Sequence, residues 1–202
     1  MLSAVAAFAS ALVLSSCSET PATTETKPAE MKKEAPPQAI AGQTAFYTMY
    51  KPARTWATDL MCLSLAGNDV EGVKSENGKY PMWTAVFVSP SKREARTLFY
   101  SVVDHGSDVH KGVTIGGAES WGGPTANSRP FQNSQFNVNS DGAYKTAAEK
   151  AGPWLQKNPD KPLKMVLTST SHFVNPVWYL LWGDRKSGYE TFIDATTGAP
   201  TK

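Results

Sequence analysis

Two segments of this sequence follow one plan. Pro81-Met82-Trp83-Thr84-Ala85-Val86-Phe87-Val88 and Pro176-Val177-Trp178-Tyr179-Leu180-Leu181-Trp182 each open on proline and place tryptophan two residues later. Both continue in β-branched, aromatic and aliphatic residues, the composition of a buried strand. The second copy of the Pro-x-Trp landmark stands 95 positions after the first. After each run comes a turn with adjacent cations, Lys92-Arg93 or Arg185-Lys186. A further strand-like run then closes on aspartate, Arg96–Val103 on Asp104 and Tyr189–Ile193 on Asp194. Upstream, Leu163, Met165 and Leu167 alternate with Lys164, Val166 and Thr168, a half-buried strand. Val70–Lys74, followed by the turn signal Glu76-Asn77-Gly78, takes the same place in the first copy. A helical stripe precedes each set. In the first it is Ala53, Trp56, Ala57, Leu60 and Leu63, with Pro52 in the opening turn and Gly67 as the stop. In the second it is Ala143, Tyr144, Ala147, Ala148 and Ala151, capped by Ser140 or Asp141 and ended at Gly152-Pro153. Helix, strand, strand, strand occurs twice. The expectation is an α+β fold of two tandem α-β-β-β units, residues 43–104 and 141–202, each a helix packed on an antiparallel meander.

The amino-terminal region carries none of this patterning. Leu2–Leu14 holds no charge, and it falls short of the roughly 20 apolar residues that a membrane-crossing helix needs. Its length is that of a signal-peptide apolar region. Leu14-Ser15-Ser16-Cys17 follows and resembles the lipobox of bacterial lipoproteins: an aliphatic residue, two small residues, then cysteine. The resemblance implies that residues 1–16 are a signal peptide and that Cys17 carries a diacylglycerol. Residues 18–42 include Pro21, Pro28, Pro36 and Pro37, four glutamates, three lysines and no aromatic side chain. Such a segment buries too little apolar area to offset the cost of ordering it, so 17–42 reads as a lipidated cysteine and its disordered tether. A flexible chain of that length spans roughly 25–30 Å. The expected location is the bacterial envelope, attached to a membrane through the lipid. Ser18 after the cysteine points to the outer membrane facing the periplasm. With Cys17 acylated, Cys62 has no disulfide partner. A formal net charge of +2 is too balanced for a nucleic-acid partner.

The end of the second copy resembles a PepSY domain. The residues that carry the likeness are Trp178–Gly183 and Gly188-Tyr189-Glu190-Thr191-Phe192-Ile193-Asp194-Ala195-Thr196-Thr197-Gly198, within 176–198. The hallmark is a tryptophan strand, a hairpin, and a strand closing on an Asp-Ala-x-Thr-Gly turn. Asp194 can accept backbone N–H groups there, and Gly198 can supply a positive φ. In the first copy Asp104 runs into His105-Gly106 instead. The resemblance implies non-catalytic work, either inhibition of a peptidase or binding of an envelope protein or peptide, and it transfers no catalytic residues or cofactor.

Other candidate chemistry is sparse. Asp104, His105, Asp108 and His110 could ligate Zn²⁺, with His172 joining if the fold brings it close. That would make a metal-assisted hydrolase, the alternative to a binding protein, whereas a solvated turn is the plainer reading of so polar a segment. A purely structural envelope component is a further alternative. Cys62 is read as a passive small side chain rather than a thiolate nucleophile. Residues 105–140, rich in glycine, read as a long connecting segment in which Trp121, Arg129 and Phe131 are the candidate ligand contacts. Lys92, Arg93 and the nearby Arg96, with Arg185 and Lys186, are five cations that would hold an anionic surface only if all faced one way.

Overall fold

The structure, a computed structural model, describes residues 35–202. Residues Pro36–Lys202 form one compact unit. In chain order its elements are β1 (Ile40–Ala41), α1 (Gly42–Trp56), β2 (Met61–Asn68), β3 (Lys79–Tyr80), β4 (Met82–Ser89), β5 (Glu94–Ser101) and β6 (Gly112–Ser120). A single 3₁₀ turn at Asn133–Gln135 leads to α2 (Ser140–Leu155), β7 (Leu163–Thr168), β8 (Val177–Trp182), β9 (Tyr189–Asp194) and β10 (Pro200–Thr201). The two helices pack against a large antiparallel sheet of eight strands in the order β10-β9-β8-β7-β2-β4-β5-β6. Each half is therefore a helix followed by a meander, and the meanders share one sheet. They join where β2 pairs antiparallel with β7, Leu65 opposite Leu167. Short β1 pairs with β3 apart from this sheet.

Helix spacing decides which sides face the sheet. Ala45, Phe46, Met49 and Ala53 recur at three and four residues and are buried along α1. On α2 the buried stripe is Ala143, Ala147 and Ala151, small side chains that let helix and sheet approach closely. Beneath them lie Leu65, Ala85, Leu98, Met165, Leu167, Leu180 and Ile193, all fully buried. Between the halves stand the two landmark tryptophans, fully buried, edge to face, with ring centroids 6.1 Å apart. Each indole ties the chain entering a helix to the sheet. Trp83 Nε1 donates to the Ile40 carbonyl at 2.9 Å, just before α1, and Trp178 Nε1 donates to the Val138 carbonyl at 2.8 Å, just before α2. The strand ends match too: Val102 N–H donates to the Pro81 carbonyl and Ala195 N–H to that of Pro176, both at 2.9 Å.

The start of α2 caps the start of α1. Asn139 Oδ1 accepts from Ser140 N–H and, at 2.9 Å, from Gln43 N–H, while Ser140 Oγ accepts from Gly42 N–H at 2.7 Å. Orphan amides of α1 are thus satisfied by the residues that start α2. Gly42 is tightly enclosed: a Cβ there would meet both indoles at 3.1 Å, so a larger residue would need the rings to give by a few tenths of an ångström.

Several expectations are realised. β7 alternates as its sequence implies, with Met165 and Leu167 buried. Asn77 and Gly78 both adopt positive φ, 51° and 75°, as a two-residue turn between Glu76 and Lys79 demands. Asp194 Oδ1 accepts from the N–H groups of Thr196 and Thr197 at 2.8 and 2.9 Å, and Gly198 follows at φ 80°.

Others are corrected. The first helix lies at 42–56, not over Pro52–Gly67, and Pro52 sits near its end. Leu60 and Leu63 mimic helical spacing, yet they flank and enter β2, a central strand whose bulge between Cys62 and Ser64 breaks the two-residue alternation. Val70–Lys74 holds only an isolated Val70–Val73 bridge around Gly72. The order in each half is helix and four strands, since β6 and β10 extend the meanders. Residues 105–140 accordingly contain a nine-residue strand rather than a bare connection. Among the described residues the first strand starts at Ile40, ahead of position 43, and α2 continues through Pro153 to Leu155. The signal peptide, Cys17 and the tether up to residue 34 lie outside the described residues.

Two outcomes test this account. Trp178→Phe removes the donor to Val138 and opens a cavity at the join, so urea unfolding should show a loss of about 2–4 kcal/mol. An unchanged midpoint would refute the anchoring role. Asp194 is the second. Partial burial alone would raise its carboxyl, but the hydrogen bonds from Asn175, Thr197 and Thr196 outweigh it and hold the group below the usual carboxylate range. A group whose pKa is lower folded than unfolded stabilises above the unfolded value, and that stabilisation is lost as pH falls through the folded one. Asp194→Ala should therefore be less stable than the parent chain at pH 7, with the gap closing as pH falls below about 4. A gap independent of pH would show that the carboxylate is not responsible.

Candidate functional site

Because both helices lie on one face, alternation along the strands sends every second side chain to the other. On β8 the inward set is Trp178, Leu180 and Trp182, which places Tyr179 on the helix-free side. Pairing then assembles one row across six strands there: Phe192, Tyr179, Val166, Ala66, Thr84 and Phe99. At about 4.8 Å per strand the row runs some 24 Å. All six are half-buried and none carries a charge.

At the β9 end the row deepens into a groove of about 600 Å³. Its floor is Tyr179 stacked on Phe192, ring centroids 5.2 Å apart, with Phe173 packed on Phe192 at 5.0 Å. Thr168, Thr170 and Val166 line one flank, Arg185 and Glu190 the other. The Tyr179 hydroxyl donates to Glu190 Oε2 at 3.0 Å. Burial, and next the Glu190 carboxylate, push the phenol above its ordinary value, while Arg185 opposes them. The loop that delivers Phe173 also carries Val174, which is 98% exposed. Aromatic rings, an arginine and a bare aliphatic tip around an open groove are the residue types that anchor macromolecular contacts. The groove thus combines two stacked rings with a hydrogen-bonded phenol and a charged flank.

The residues singled out from sequence are dispersed. Phe131 is in the core, 1% exposed, with its backbone paired to Cys62 by hydrogen bonds of 2.8 and 3.0 Å; it is not a surface contact. Trp121 is half-buried and donates its backbone N–H to the Arg93 carbonyl, whereas exposed Arg129 donates to the Ser169 carbonyl. Cys62 belongs to β2 rather than to a helix, and burial pushes its thiol far up, away from the thiolate. Asp104, His105, Asp108 and His110 are exposed on a turn closed by the His105–Val109 bridge. Asp104 Oδ1 accepts from Lys111 N–H and lies 3.6 Å from His110 Nδ1. Among the described residues no group of three or more His, Cys, Asp or Glu side chains converges as metal ligands. The two basic turns follow β4 and β8, which run antiparallel through three successive antiparallel pairings, so they sit at opposite ends of the sheet. Their cations cannot face one surface together. Tyr179 and Phe192 were missed as site residues, although the tryptophan spacing on β8 marks Tyr179 as outward-facing.

No helix among the described residues is long and apolar enough to cross a membrane. No protein-family model matches the sequence, and no curated protein matches it. The chain is similar to the crystal structure of a "putative lipoprotein" from Clostridium difficile 630, at 8% sequence identity and a TM-score of 0.45, over 78% of this chain and 90% of that one.

Proposed function

We propose that this is a lipid-anchored protein of the bacterial envelope, built from two copies of one helix-and-meander unit. Its work is non-catalytic: it holds a protein or extended peptide on the helix-free face of its sheet. The observation that carries the reading is the uncharged row from Phe192 to Phe99 with the aromatic groove at its end. An uncharged row of this length, ending in clustered aromatic rings, is the kind of surface that a partner covers. Three further features support it. Leu14-Ser15-Ser16-Cys17 has the lipobox pattern, and the proline-rich stretch after it has a tether's composition. Asp194-Ala195-Thr196-Thr197-Gly198 resembles the PepSY closure in sequence, and that resemblance supports a peptide-binding or inhibitory role. The matched tryptophan and strand-end hydrogen bonds favour duplication.

Two measurements test the parts separately. Metabolic labelling with a palmitate analogue should mark the parent chain and not Cys17→Ser, and the variant should leave the membrane pellet. Label retained by the variant would end the anchor proposal. A benzophenone amino acid in place of Phe192 should cross-link a partner in intact envelopes, whereas the same group at Lys150, exposed on α2, should not. Equal yields from both positions, or none from either, would remove the helix-free face as the docking surface.

A further inference from the structure

A second concavity, of about 630 Å³, opens where the two halves meet at the end of β2 and β7. Pairing of these strands stops at Ala66–Val166, so Gly67 and Met165 lie beyond the ladder. Tyr80, nearly fully buried, fills the splay. Its ring rests on Gly67, where a Cβ would sit 2.3 Å from it, and its hydroxyl donates across the join to the Leu163 carbonyl at 2.9 Å. Tyr144 and Trp182, with centroids 6.2 Å apart, and Leu155 complete an aromatic and aliphatic floor.

The rim is charged, and its charges are unevenly engaged. Glu76 pairs with Lys74 at 3.6 Å, and Asp69 accepts a hydrogen bond from Ser75 Oγ. Lys79 makes no side-chain hydrogen bond or ion pair among the described residues, and Lys161 acts electrostatically on Asp184 alone. Both lysines have a fixed backbone. Lys79 is held by exchange of two hydrogen bonds with Glu76 and by pairing with Ala41, and Lys161 stands between Pro159 and Pro162 in a tight connection. Two lysines on the rim of a cleft with an aromatic wall match a ligand with a flat apolar body and one acidic group. The rings offer stacking, and the cations offer charge-assisted hydrogen bonds to carboxylate, sulfonate or phosphate oxygens.

We propose that this cleft binds a small aromatic anion, its ring system against Tyr144 and its acidic group at Lys79 and Lys161. The cleft is distinct from the helix-free groove, and the proposal stands whether or not that face docks a partner. Calorimetric titration of the full chain carrying Cys17→Ser, with naphthalene-1-sulfonate and its neutral sulfonamide as probes, decides it. The two probes share the ring and differ in charge. The sulfonate should bind about tenfold more tightly at low salt, an advantage that shrinks as salt is raised. Lys79→Met and Lys161→Met should each cost most of that advantage and leave the sulfonamide unchanged. Asp69→Asn, which removes a repelling carboxylate from the rim, should tighten the sulfonate. These substitutions replace exposed or rim side chains, and a thermal melt of each variant reports its folding. Equal affinity for the two probes, no heat from either at millimolar concentration, or lysine variants that bind the sulfonate as well as the parent chain would each overturn the proposal.

Discussion

The join between the halves rests on two tryptophans. A sheet formed by two meanders edge to edge shares only three residue pairs at its centre, Ser64–Thr168, Leu65–Leu167 and Ala66–Val166. Backbone pairing of that length is too short to hold two units together unaided. The indoles supply what is missing. Each fills the centre of the core, touches the other edge to face, and donates its single N–H to the chain entering a helix. Contact between large aromatics adds about 1 kcal/mol to the area they bury. The directed hydrogen bonds fix where α1 and α2 begin, and Gly42 has no alternative residue that would sit between the rings without displacing them.

That arrangement has a consequence for both candidate sites. Capping of α1's first amides by the residues that start α2 brings both helices to the same side of the sheet. The core forms there, and the opposite face keeps its side chains for other uses. The short central ladder leaves β2 and β7 to splay beyond Ala66, and the splay becomes the floor of the lysine-rimmed cleft once Tyr80 is seated on Gly67. One junction thus produces an open apolar face and an enclosed charged pocket. Open faces suit macromolecular partners, whereas concave pockets with a few placed polar groups suit small ones.

How far these features could be read in advance follows from how local their causes are. The alternation of β7, the Asn77-Gly78 turn and the Asp194 closure depend on residues within a few positions of one another, and each was legible. β2 was not: a central strand is buried by neighbours distant in sequence, and its bulge at Cys62–Ser64 erased the alternation that would have distinguished it from a helix. β6 was also invisible, because Gly112, Gly116 and Gly117 weaken any pattern and the strand exists by pairing with β5. For site residues the contrast is sharper. Phe131 stood out as an aromatic in a polar stretch, yet a lone aromatic among polar residues is often the one that anchors its loop in the core, as it does here. The outward position of Tyr179 was implied by Trp178 and Trp182, while its neighbours Phe192 and Val166 required the register.

A tether and an uncovered sheet face make physical sense together. A protein free in solution with a row of half-buried apolar side chains some 24 Å long risks pairing with its own kind at every encounter. Attachment through Cys17 would restrict it to two dimensions, and a tether reaching roughly 25–30 Å would set its height above the membrane. Both raise the effective concentration of partners in the same layer relative to those in solution. The groove needs only modest intrinsic affinity under those conditions. Its composition fits that requirement: a stacked pair of rings and one arginine would provide a few strong contacts, beside Thr168, Thr170 and Val166. An anchored molecule can therefore recruit a partner through a shallow surface that would be ineffective in a freely diffusing one.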